Sequence, residues 1–237
     1  MDAWQLAIVG LAVAASFGLS ASAGLGGSLI LVPALSIAFG AKEGVAMAAL
    51  LLAGNNVVKV VAYRQTLPFR QSLIVMICIA VGAWIGAQLL VAAPESVIRV
   101  AVLLAMGGTL LAERLRLTRL RQAGGPTLSL ASGATSGFSG MSGPLKGVAI
   151  RNLGLDRLHM VGAASLASLA GDATKATVFI EANILDAQAI TTALSLTPLM
   201  IAATFTGRLL NRRLGERGYA ALFWVVMGGY SARVVLT

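Results

Sequence analysis

Between residues 4 and 236 the chain is a succession of apolar stretches, most of them about as long as a helix that crosses a lipid bilayer. A hydrocarbon core about 30 Å thick needs roughly 20 apolar residues at 1.5 Å per residue. Residues 4–39, 45–63, 73–93, 97–112, 160–180, 190–207 and 219–236 are read as such segments. Residues 128–150 are also apolar, but five glycines and one proline interrupt them. Only 11% of residues are charged and the mean hydropathy is +0.86. A soluble domain usually carries about a quarter charged residues, so the bilayer is the expected solvent. The predicted fold class is all-α, a polytopic protein with no soluble domain left over.

The net charge of +9 would suggest nucleic acid in a soluble chain, but its placement argues against that partner. Arg114, Arg116, Arg119 and Arg121 cluster between two apolar segments, and Arg208, Arg212, Arg213 and Arg217 between two others. This is the positive-inside pattern of a membrane protein. Tyr63, Tyr219 and Tyr230 stand beside Arg64, Arg217 and Arg233, where interfacial aromatic belts occur. The opening Met1-Asp2-Ala3-Trp4 lacks the basic run of a cleaved signal, so the N-terminus is expected to stay. With Cys78 and His159 alone of their kinds, no disulfide framework, metal site or cofactor is expected.

The chain repeats itself. A shift of 116 residues carries Gly24 onto Gly140, Gly27 onto Gly143, Val45 onto Val161, Leu50 onto Leu166 and Lys59 onto Lys175. A shift of 121 carries Gly86 onto Gly207, Glu95 onto Glu216 and Met106-Gly107-Gly108 onto Met227-Gly228-Gly229. We therefore divide one integrated membrane domain into a first repeat, residues 1–116, and a second, residues 117–237. Each is expected to hold a glycine-broken helical hairpin followed by three transmembrane helices. If the hairpin enters and leaves on one face, the repeats are inverted. Arg64 and Arg70 flank one loop where Glu181 and Asp186 flank its counterpart, as inversion requires. The second hairpin's arms are short, about 15 to 20 Å each, which favours re-entry over crossing.

Broken helices at membrane depth are tolerated only beside protein or a water-filled cavity, and paired breaks in repeats point to a transporter's binding site. The first break holds Gly24, Gly26, Gly27 and Ser28; the second holds Ser139, Gly140, Ser142 and Gly143, followed by Pro144. Proline suits the first turn of a new helix, whose free amides and positive dipole end favour an anion. Close helix packing through small residues is the alternative use of such glycines.

Lys59, Lys146 and Lys175 fall within or beside apolar segments, where an ionisable side chain suggests function. Lys59 and Lys175 are also close enough to helix ends to snorkel. Asp172 precedes Lys175 by three residues, so it makes either a local ion pair or a proton-coupling group. Asn55 and Asn56 occupy the corresponding stretch of the first repeat and join the substrate-binding candidates.

The run Gly24-Leu25-Gly26-Gly27-Ser28-Leu29-Ile30-Leu31-Val32-Pro33, its degenerate echo over residues 139–149 and the repeat layout resemble the TauE/SafE sulfite exporter family of the toluene-sulfonate uptake permease group. The resemblance implies a two-repeat, multi-pass carrier of the bacterial inner membrane. Its substrate would be a small inorganic or organosulfur anion such as sulfite, thiosulfate or a sulfonate. Alternating access, one repeat moving against the other, is the expected mechanism. A passive anion channel or a non-transporting assembly factor is the alternative, and a homo-oligomer is left open. An enzyme is not expected, because His159 has only Asp156 as a nearby carboxylate and no nucleophile cluster accompanies it.

Overall fold

On the apolar segment 73–93, small and large residues sort to opposite faces, and this sorting decides how the helices meet. The computed structural model describes residues 9–18, 27–114 and 124–206. Among these described residues, helices run in the order α1 (Val9–Gly18), α2 (Gly27–Phe39), α3 (Ala41–Ala62), α4 (Phe69–Ala92), α5 (Glu95–Arg114), α6 (Gly125–Ser139), α7 (Gly143–Arg151), α8 (Arg157–Glu181) and α9 (Ala187–Ser195). A turn at Leu196 leads α9 into further helix as far as Thr206. Among the described residues there is no strand. Gly24, Gly26, the basic clusters around Arg119 and Arg212, and the predicted segment 219–236 lie outside them.

Three of the described helices are long and apolar enough to cross a bilayer: α3 with 22 residues, α4 with 24, and the 20-residue stretch Ala187–Thr206. The 25 residues of α8 match that length, but Asp172 and Lys175 interrupt its apolar run. Helices α6 and α7, with 15 and 9 residues, are each too short to span, at about 22 and 14 Å.

The outward face of α4 carries Phe69, Leu73, Ile74, Ile77, Val81, Trp84, Ile85 and Leu89, all exposed. Its inward face carries Ser72, Val75, Ile79, Gly82, Ala83, Gly86 and Ala87. Bulky apolar residues outside and small ones inside are the reverse of a soluble helix and suit lipid, where association depends on close packing.

That small face meets α6 backbone to backbone. A Cβ on Gly82 would fall 2.1 Å from the Leu130 carbonyl oxygen, and one on Gly86 would fall 2.1 Å from that of Ala134. Reciprocally, a Cβ on Gly133 would fall 2.3 Å from the Ile79 carbonyl oxygen, and one on Gly137 would fall 2.4 Å from that of Ala83. Two Gly-x-x-x-Gly stripes interlock, so the joint admits no side chain at these four positions. It ties α4, in the first repeat as we divided the chain, to α6 in the second.

The junction between α2 and α3 is anchored differently. Backbone amides of Ala41 and Lys42, at the start of α3, donate to the carboxylate of Glu95, and the Lys42 ammonium donates to the Val91 carbonyl at 2.9 Å. A carboxylate at a helix N-terminus satisfies amides that have no intrahelical acceptor and complements the helix dipole. Gly40, with φ of 96°, makes the sharp turn between α2 and α3. Helices α2 and α7 begin 116 residues apart, as do α3 and α8.

Candidate functional site

The second helix break brings polar backbone into the protein interior. Helix α6 ends at Gly140, whose φ of 76° places it in the left-handed region, and α7 starts at Gly143 after Ser142. A Cβ on Gly140 would stand 2.8 Å from Val32 Cγ2, so both conformation and space call for glycine. Gly140 and Ser142 thereby face the start of α2 across a cavity of about 40 Å³.

That cavity is lined by six helices. Gly27 and Ser28 come from α2; Leu52, Asn56 and Lys59 from α3; Ile79 from α4; Ser132 and Ser136 from α6; and Ser168, Gly171 and Asp172, with Ala167, from α8. Lys146 reaches it from α7. On α3 the lining residues are spaced i, i+4 and i+7, which puts them on one helical face. Ser168, Asp172 and Lys175 repeat that spacing on α8, each 116 residues beyond Leu52, Asn56 and Lys59.

A buried network holds these side chains. Lys175 is fully buried; its ammonium lies 2.7 Å from Asp172 Oδ1 and donates to Ser136 Oγ at 2.9 Å. The other Asp172 oxygen accepts from Asn56 Nδ2 at 2.7 Å. Lys146 donates to Ser168 Oγ at 2.9 Å. Among the described residues at the site, Lys59, Lys146 and Lys175 in their ordinary states carry three positive charges against the single negative charge of Asp172. More basic than acidic side chains thus meet in a place where uncompensated charge is costly.

A family model described as sulfite exporter TauE/SafE matches residues 6–234 of the 237-residue chain. The chain belongs to the TauE/SafE sulfite exporter family. TauE/SafE proteins are membrane transporters, not enzymes. No curated protein and no solved structure gives a significant match.

Of the residues singled out in this TauE/SafE sequence, Gly27, Ser28, Asn56, Lys59, Gly140, Ser142, Lys146 and Asp172 line the cavity. Lys175 stands behind it, joined to it through Ser136 and Asp172. Neither Lys59 nor Lys175 snorkels to the surface, since both are buried. The local ion pair between Asp172 and Lys175 is present.

Asn55 turns away, and its Oδ1 accepts from Thr204 at 2.9 Å. Ser139 is buried at the end of α6, where it donates to the Thr135 carbonyl at 2.8 Å. Gly143 is the first residue of α7. His159 pairs with Asp156 at 2.6 Å near the start of α8 and takes no part in the lining.

Sequence reasoning missed Ser132, Ser136 and Ser168. The signal for Ser168 was available, because it stands four residues before Asp172 on the same helical face. Ser132 and Ser136 are likewise four apart, directly before the break.

Proposed function

We propose that this TauE/SafE chain is a secondary transporter that moves a small sulfur oxyanion, sulfite first among them, across the bacterial inner membrane by alternating access. One observation carries the reading: a cavity lined by more lysines than acids lies where two helices begin. Amide-rich helix starts and ammonium groups together replace the water that a small anion gives up. A cavity of about 40 Å³ has room for more than a single water, as a small anion requires.

The reading includes two inverted repeats. It is supported by the common 116-residue offset of α2 with α7 and α3 with α8, and by the hydrogen bond between Asn56 and Asp172, themselves 116 apart. Because α4 is interlocked with α6, the bodies that rock against each other in this reading are composites of both repeats. Asp172 is the proton-coupling group, being the one acid among the described residues that lines the cavity.

Reconstitution into proteoliposomes tests the proposal. Saturable uptake and counterflow of sulfite, thiosulfate or a small sulfonate is expected. Linear, non-saturating flux would make the protein a channel. Absence of flux for every anion by folded protein would overturn the reading.

A further inference from the structure

Among the described residues, the hydroxyls of α6 and α8 fall into two groups. Ser129, Thr135, Ser139, Ser165, Thr174 and Thr177 each donate to the carbonyl four residues earlier, at 2.7 to 3.0 Å. This is the usual way for a hydroxyl in an apolar helix to satisfy its proton. Thr127 and Ser132 also donate to carbonyls, those of Gly124 and Ser142.

Ser136 and Ser168 do neither. Each accepts from an ammonium, Ser136 from Lys175 and Ser168 from Lys146, both at 2.9 Å, and each lines the cavity. An ammonium only donates, so it occupies a lone pair and leaves the serine O–H free to donate elsewhere. Hydrogen bonds in a chain polarise one another, so a hydroxyl that accepts from a cation becomes a stronger donor. Ser136 is itself more than nine-tenths buried, and the cavity is where its proton can find an acceptor.

We infer that Ser136 and Ser168 are substrate-binding residues: two lysine-fed hydroxyls that donate to the oxygens of a bound oxyanion. The assignment rests on the transport reading above. It also gives Lys175 a positioning role, because that ammonium acts on the cavity through Ser136 and does not line it.

Titration calorimetry with sulfite on the purified full-length protein in detergent tests it. Ser136→Ala and Ser168→Ala each weaken sulfite binding by about 10- to 100-fold, the range for a lost hydrogen bond to a charged acceptor. Ser165→Ala, which removes a back-bonded hydroxyl from α8, leaves affinity unchanged. Ser136→Cys and Ser168→Cys, nearly isosteric and weakly donating, give intermediate affinities and carry the test if an alanine variant does not fold. Thermal unfolding midpoints within a few degrees of the parent separate lost contact from lost fold. Wild-type affinity in the folded alanine or cysteine variants would overturn this inference alone. A parent protein that binds none of sulfite, thiosulfate or a sulfonate would overturn the transport reading itself.

Discussion

Asn56 Nδ2 donates to Asp172 Oδ2 at 2.7 Å, joining α3 to α8 between positions 116 residues apart. With Lys175 on the other oxygen, the Asp172 carboxylate has both oxygens engaged in the protein interior. Asp172→Asn therefore leaves the Lys175 ammonium buried without a counter-charge. Removing one partner of a buried pair costs about 3–5 kcal/mol, so the thermal midpoint should fall sharply. Adding Lys175→Met should recover much of that loss. A double variant no more stable than Asp172→Asn would show that the pair is not the origin of the effect.

The coupling role of Asp172 is tested in transport. If the carboxylate carries the proton that accompanies the anion, Asp172→Asn flux loses its pH dependence while the parent's flux keeps it. An unchanged pH profile in reconstituted vesicles would leave Asp172 with a structural role only.

Lys146 and Lys59 both line the cavity, but Lys146 lies just past the second helix break and is tied to Ser168. Lys146→Ala should weaken sulfite binding by at least about tenfold, the scale of a lost charge-assisted contact, and by more than Lys59→Ala. Calorimetric titration of both variants decides the order; equal binding by the parent and the Lys146 variant would remove the assignment.

The α4–α6 joint predicts a contrast between glycines. Gly86→Val or Gly133→Val forces apart backbones that already touch, so these proteins should fail to yield a monodisperse folded species on size exclusion. On α5, a Cβ added at Gly107 or Gly108 would meet no atom of the described residues within 4 Å, so alanine there should be neutral or slightly stabilising. Comparable damage at both places would mean that close approach is not what the α4 glycines provide.

Glu95 supports α3 through two amides from across the α4–α5 corner. Glu95→Gln keeps the shape but loses the charge facing the helix start, which costs about 1 kcal/mol. A midpoint lowered by a few degrees is expected, whereas Ser96→Ala, next along α5, should have no effect of that size.

The helices were legible because bilayer thickness sets a length that apolar runs must meet. Segments 45–63 and 73–93 correspond closely to α3 and α4. The short arms of the second hairpin were legible from Gly140 and Pro144, since each acts on its own backbone. Much of the cavity could be foreseen for the same local reason: charge within an apolar helix is conspicuous.

The serines were not conspicuous. A serine in a membrane helix ordinarily satisfies itself on its own backbone, and only the approach of Lys146 and Lys175 from other helices makes Ser168 and Ser136 different. The Gly82 and Gly86 spacing was visible, but its mate at Gly133 and Gly137 is a tertiary choice that no local pattern expresses. Asn55 and Asn56 look alike in the chain; the helical turn of about 100° between neighbours sends one to Thr204 and the other to Asp172.

The glycine joint also bears on how such a chain can be divided. One surface of it belongs to residues before position 114 and the other to residues after position 124. Severed in that interval, neither fragment would retain a mate for its bare backbone groove. The two pieces would be obligate partners that reunite when made together, not a pair of free-standing modules.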